Sequence, residues 1–161
     1  MSGEKALVVG ATGMVGTRLV EHLAANAWPV LGLCRRPPNN SGPVNYVGAD
    51  LLNIDECNNM LSDEKDVSHI FYAARAKHGE GGIEPVEENL KMLQNVVDVV
   101  CKVSPVLRHV HLVHGAKYYG AHLGRYKTPA KEEDPRHPSP NFYYDQQDFV
   151  TQYAGVWDWS I

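Results

Sequence analysis

Three groups of residues in this 161-residue chain have types and spacing suited to chemistry. The first is Gly10-Ala11-Thr12-Gly13-Met14-Val15-Gly16, a GxxGxxG run that follows the apolar residues 5–10 and opens a stretch of helical periodicity. Such a turn suits a phosphate. Gly10 permits the tight turn, Gly13 lets a pyrophosphate approach the main chain, and Gly16 lets the helix lie against the strand. The helix start adds unpaired N–H groups and the positive end of its dipole. A glycine pattern alone is weak, but its place between a strand and an amphipathic helix makes it specific. We read Gly10, Thr12, Gly13, Met14, Val15 and Gly16 as the phosphate loop of a dinucleotide site.

The second group follows the next apolar run. An NAD site typically carries an acidic residue there for the ribose 2′-hydroxyl. Here Cys34 is followed by Arg35 and Arg36, and no Asp or Glu occurs between Glu21 and Asp50. Two guanidiniums suit a 2′-phosphate, which favours NADPH over NADH. The other reading is a solvated basic turn. Asp50 and Leu51 stand where an adenine edge would fall, although Asp50 serves equally well as a turn residue.

The third group is Lys117 and Tyr143. None of the eight tyrosines has a lysine four residues on, so the common Tyr-x-x-x-Lys pairing of short-chain reductases is absent. Lys117 nevertheless falls just beyond the fifth apolar run, at the sheet edge where open α/β folds bind ligands. Tyr143 opens the next helical stretch. A lysine beside a tyrosine favours the phenolate and lowers the tyrosine pKa. On spacing alone, Lys117 as a surface lysine and Tyr143 as a packed helix-start residue remain open. His109 and His111 share one face of a strand, with His114 nearby; packing explains them better than a metal site, which needs more convergent ligands.

Positioning these residues requires alternating elements. Strands are expected at 5–10, 29–34, 44–48, 69–74, 108–114 and 157–161. Helices are expected at 14–26, from Asn53 or Asp55 to Leu61, from Pro85 to near Lys102, and at 141–154 with Asn141 as its cap. Val86, Leu90, Leu93, Val97 and Val100 form one apolar stripe. This alternation predicts an α/β fold, a doubly wound Rossmann sheet, over residues 1–161 as one domain. Residues 35–43 form a turn-rich loop. The longest irregular stretch, 120–140, holds four of the ten prolines; loops of that length are usually functional. Its charged run, Lys131 to Asp134, reads as a solvated face.

Composition narrows the class. Fifteen Lys and Arg against nineteen Asp and Glu give a net charge of −4, which argues against a nucleic-acid partner. Three dispersed cysteines without a CxxC pair imply neither a disulfide framework nor a zinc site, and a reducing, cytoplasmic setting is expected. No stretch has the length of a membrane span.

The Gly10-to-Gly16 loop with Cys34-Arg35-Arg36-Pro37, the run Val67-Ser68-His69-Ile70-Phe71-Tyr72, Gly115-Ala116-Lys117-Tyr118-Tyr119 and Asn141-Phe142-Tyr143-Tyr144-Asp145 together resemble the progesterone 5β-reductase/iridoid synthase family. That family is an atypical branch of the extended short-chain dehydrogenases. The resemblance runs along the whole chain, and Asn-Phe-Tyr-Tyr is its most specific part. It implies NADPH-dependent 1,4-reduction of a small-molecule enone, with Lys117 and Tyr143 catalytic and both beside the cofactor. It also implies a homodimer through paired helices, to which the Val86-to-Val100 stripe would contribute if it is not core. His114 stands where plant members commonly carry threonine. Family members continue into a C-terminal substrate-binding portion, so much of the substrate pocket is expected to lie beyond Ile161. Other extended short-chain enzymes, a sugar-nucleotide epimerase or a carbonyl reductase, and a non-catalytic NADP-binding sensor are the alternatives.

Overall fold

The computed structural model describes residues 3–39, 42–78, 84–138 and 140–161. Asn40 and Ser41 of the turn-rich loop, and Ser139 of the later proline-rich stretch, lie outside the described residues.

The apolar runs become strands β1 (Lys5–Val9), β2 (Val30–Cys34), β3 (Asn45–Gly48), β4 (Val67–Tyr72), β5 (His109–Leu112) and β6 (Asp158–Ser160). They form one sheet of order β3-β2-β1-β4-β5-β6, parallel at every pairing. The order reverses at β1, with β2 on one side and β4 on the other. Ligands of open α/β sheets sit at such a switch point, beyond the carboxyl ends of the strands.

The helices are α1 (Met14–Ala25), α2 (Ile54–Leu61), α3 (Val86–Val103) and α4 (Phe142–Thr151). On one face α2, α3 and α4 cover Leu7, Val9, Leu31, Leu33, Ile70 and Leu112. On the other, α1 covers Ala6, Val8 and Val30 through Val20 and Leu23. Strand β2, and β1 from Ala6 onward, are apolar throughout because both of their faces are covered. The α3 stripe is core of this chain: Leu93, Val97 and Val100 are fully buried, while Val86 and Leu90 sit at its rim. Burial of each such side chain contributes roughly 1.5–3 kcal/mol.

Two elements differ from the sequence reading in ways that matter for the site, and one choice it left open is decided. Strand β4 begins and ends two residues earlier than expected. Ser104 donates its hydroxyl to the Val67 carbonyl (2.7 Å) and fixes the strand's start. The Ala73 N–H makes the last bond to Val9 (2.9 Å), after which the chain turns off across Gly10. A 3-10 helix, Ala116–Tyr119, follows β5 and was not anticipated; Gly120, at φ 81°, ends it. Asn53, rather than Asp55, caps α2, accepting from the Asp55 and Glu56 N–H groups. Among the described residues, no helix is long and apolar enough to cross a membrane.

Candidate active site

The glycine loop leaves β1 through Gly10 at φ 82°, with the Gly10 and Ala11 N–H groups bonded to the Leu33 carbonyl (2.9 and 3.2 Å). A Cβ on Gly10 would also meet the Ala73–Ala74 main chain at 2.9 Å. A Cβ on Gly16 would lie 2.1 Å from the Gly10 carbonyl oxygen, so α1 and β1 pack as closely as they do only with glycine there. In the first turn of α1, the N–H groups of Met14, Val15 and Gly16 have no earlier helical carbonyl to bond. They form the donor set an anion needs.

A cleft of about 530 Å³ opens over this loop, lined among others by Gly10, Thr12, Gly13, Arg35, Asp50 and Leu51. These sequence-expected residues are therefore brought together. Arg36 is exposed beside Arg35 but outside the cleft wall. The side chains of Met14 and Val15 line a separate hollow with Leu19 and Phe71, so those two residues offer the cleft only their main chain. The Asp50 carboxylate accepts from the Leu52 N–H at 3.0 Å, a turn role, while the residue still lines the cleft. Asn95, buried on α3, donates to the Leu51 carbonyl at 2.8 Å and pins this edge.

The far side of the site is held differently. Lys117, on the 3-10 helix, donates to Glu84 Oε1 at 2.6 Å. Glu84 stands just ahead of α3, and the same oxygen lies 3.2 Å from Arg75 and 3.4 Å from His78. Burial works to raise the Glu84 pKa, but the hydrogen bond and charge of Lys117, helped by Arg75 and His78, hold it below the usual carboxylate value. Asn141 binds both halves of the remaining geometry. Its side-chain oxygen accepts from the Tyr143 N–H (3.2 Å), capping α4, and its amide donates to the Lys117 carbonyl (2.9 Å).

Tyr143 is stacked on His114, with centroids 4.0 Å apart and planes 17° apart. Burial raises its pKa first and the Glu84 charge raises it further, while Arg75 and the Gly115 main chain oppose the rise. A lysine-lowered tyrosine was expected from the sequence. The structure gives the reverse direction, because burial of the phenol and then the Glu84 charge favour its neutral form. The phenol is thus kept as an O–H donor at neutral pH.

His114 ends a buried polar chain. The Gln146 amide donates to the Asn89 carbonyl (3.1 Å), so the Gln146 oxygen accepts from His114 Nε2 (3.1 Å). Asn89 in turn accepts from the Ala76 N–H at 2.9 Å. Burial lowers the His114 pKa to about 4, so the ring stacked on Tyr143 is neutral. His109 and His111 both bond the Ser160 hydroxyl (2.8 and 2.9 Å).

The proline-rich stretch is strapped onto the start of α4. Arg136 makes two bonds to the Asp148 carboxylate (2.9 and 2.7 Å) and one to Gln147 (2.7 Å), and it lies 4.9 Å above the Tyr144 ring. Tyr144 donates to the Tyr118 carbonyl at 2.5 Å and accepts from the His137 N–H at 3.2 Å. A second cleft of about 470 Å³ opens beside Tyr143, lined among others by His114, Gly115, Tyr118, Tyr119 and Gln147. Sequence reasoning missed Glu84, Arg136 and Gln146. Glu84 precedes a helix start and reads as an ordinary first-turn acid. Nothing in spacing links it to a lysine 33 residues away.

Residues 6–153 match the model of the NAD dependent epimerase/dehydratase family. An (S)-8-oxocitronellyl enol synthase of Nepeta cataria is 37% identical over 91% of this chain and 40% of its own length. A 3-oxo-Delta(4,5)-steroid 5-beta-reductase of Arabidopsis thaliana is 35% identical over 90% of this chain and 40% of its own. The chain thus spans about 40% of the length of these curated relatives, which bear out the resemblance drawn from the motifs. Among solved structures, a short-chain dehydrogenase/reductase superfamily protein from Agrobacterium tumefaciens with bound NAD superposes with a TM-score of 0.76 at 16% identity, over 97% of this chain and 47% of that one. A UDP-glucose 4-epimerase from Bifidobacterium longum in complex with NAD+ and UDP gives 0.70 at 20% identity, over 92% and 47%. Both likenesses concern the fold.

Proposed function

Because the chain belongs to the NAD dependent epimerase/dehydratase family, we propose that it forms the dinucleotide-binding part of an NADPH-dependent oxidoreductase that reduces the C=C bond of a small enone. The observation that carries this reading is the joining of Lys117 and Tyr143 through Asn141 at the sheet edge next to the glycine-loop cleft. The relatives named above support it: one name describes reduction of a conjugated oxosteroid, the other formation of an enol.

The residues present fit a phosphorylated dinucleotide. The close Gly10–Gly16 contact, the first-turn N–H groups of α1 and the cleft beside Arg35 suit a pyrophosphate at one end and a 2′-phosphate at the other. When bound, the nicotinamide supplies a hydride to the substrate's β-carbon. This chain's residues do the rest. Arg35 and Arg36 hold the 2′-phosphate through charge-assisted bonds. Lys117 keeps two N–H donors beyond its bond to Glu84, which would hold the nicotinamide ribose. Tyr143 donates its hydroxyl hydrogen to the carbonyl oxygen of the enone. As electrons shift from the C=C bond onto that oxygen, the bond strengthens and the developing enolate is stabilised. The neutral His114 ring fixes the Tyr143 ring without adding a competing charge.

The test is incubation of the whole protein with NADPH and a small cyclic enone, with the product identified by mass and by its carbonyl signal. A saturated ketone is expected. An allylic alcohol, or no oxidation of NADPH, overturns the reading.

A further inference from the structure

We infer that Glu84 is a positioning residue, the counter-ion that holds the Lys117 ammonium between the dinucleotide cleft and Tyr143. The inference rests on the reading that Lys117 and Tyr143 carry the chemistry.

Lys117 lies after β5, on a 3-10 helix of one turn, an element with little stiffness of its own. Its main chain is tied by Asn141. Its four-carbon side chain is tied by Glu84 at 2.6 Å. Glu84 is itself set by what lies around it. Its side chain is only 17% exposed, and Pro85 behind it restricts its main chain to extended conformations. Three nitrogen groups converge on one of its oxygens: the Lys117 ammonium from the 3-10 helix, and the Arg75 guanidinium and His78 imidazole from the segment after β4. The Tyr143 phenol, from α4, feels the charges of both Glu84 and Arg75, and the His114 ring is stacked on it. Arg75 also lines the dinucleotide cleft, so Glu84 pairs at once with a residue of the cleft wall and with Lys117.

Two consequences follow. A lysine whose ammonium is anchored at one N–H has its other donors aimed, which lowers the entropy lost when they meet a ribose. A carboxylate near Tyr143 also disfavours the phenolate and preserves the O–H donor that the enolate needs. Neutralising Glu84 therefore loosens Lys117 and lets Tyr143 ionise at a lower pH.

The experiment compares Glu84→Gln, Glu84→Asp and Lys117→Ala, each checked for folding by circular dichroism. Lysine ammonium NMR of the full chain reads the pairing without any cofactor. The wild type is expected to show one slowly exchanging Nζ signal that Lys117→Ala removes. Glu84→Gln is expected to lose it, and Glu84→Asp to keep it in part. In the whole protein, the alkaline limb of the kcat/KM profile should move down by roughly one pH unit in Glu84→Gln. At neutral pH, kcat should fall about tenfold. An Nζ signal unchanged in Glu84→Gln, or an unmoved alkaline limb, overturns the inference. Full turnover by Lys117→Ala instead refutes the catalytic reading, and the ammonium signal still decides the Glu84 pairing.

Discussion

The two sides of the candidate site are built by different physics. The glycine-loop side is local. One turn, one close helix–strand contact and a row of first-turn N–H groups shape it, all within Gly10 to Gly16. The lysine–tyrosine side is assembled at long range. Glu84 ahead of α3, Arg136 of the proline-rich stretch, and Asn141 and Tyr144 at the start of α4 reach it from three segments, and each holds a piece through side-chain bonds. A local device fails in full when one atom is wrong. A distributed device fails by degrees, and it is the part whose protonation the surroundings can tune.

The largest expected effect follows from the local side. Gly16→Ala puts a methyl 2.1 Å from the Gly10 carbonyl oxygen, a main-chain atom with nowhere to go. Overpacking of this kind costs roughly 1–3 kcal/mol or more, and the loop it displaces is the phosphate cradle. Isothermal titration should detect no dinucleotide binding, and thermal melts should show lower stability. Retention of wild-type affinity would mean that the close contact does not shape the cleft.

Next comes Tyr143→Phe, expected to lower turnover roughly 10²–10³-fold by removing one donor to the developing oxyanion. Dinucleotide affinity should hardly change. Steady-state kinetics beside a binding titration separates the two. The double change of Arg35 and Arg36 to neutral residues should weaken NADPH about tenfold or more while sparing NADH, since each charged hydrogen bond contributes roughly 1.5–3 kcal/mol. Arg35 alone should account for most of the loss, because it lines the cleft and Arg36 does not.

Tyr144→Phe tests how distributed the second side is. Its hydroxyl bonds both Tyr118 and His137, so the change leaves a half-buried carbonyl and a half-buried N–H without that partner. A several-fold loss of kcat is expected, with a stability loss on the order of 1–3 kcal/mol. Unchanged kinetics would show that the strap over α4 does not position the 3-10 helix.

The smallest effect is acid sensitivity at His114. Its folded pKa of about 4 lies below the ordinary histidine value near 6.5. Above that ordinary value the ring is neutral folded or unfolded, and no stability is at stake. As pH falls toward 4, only the unfolded chain takes up the proton, and stability drops by about 1.4 kcal/mol per unit. Melts at pH 7 and pH 5 should differ less in His114→Asn than in the wild type. An equal difference would place the acid sensitivity elsewhere, with His69 and His111 next in line because burial lowers both.

What was legible in the sequence divides along the same line. The order of elements, the cap at Asn141 and the glycine loop all depend on near neighbours in the chain, and their patterns survive into the structure. The early end of β4 was not legible, since it depends on Gly10 meeting Ala73 from another strand. The raised tyrosine pKa was not legible either. Spacing links Lys117 to Tyr143, yet what raises the tyrosine pKa is burial and then the charge of Glu84, which also bonds Lys117 and which sequence places in an unremarkable helix approach. Met14 and Val15 lie within the loop by sequence, but their side chains turn to the opposite hollow because a helix start aims successive residues about 100° apart.

The site proposed above would deliver hydride to the β-carbon of a conjugated carbonyl whose oxygen Tyr143 engages. Reduction of a cyclic enone by the whole protein with NADPH deuterated at the transferring position tests it most directly, by locating the label in the product. The account predicts deuterium on the β-carbon of a saturated ketone. Deuterium on the former carbonyl carbon would contradict it.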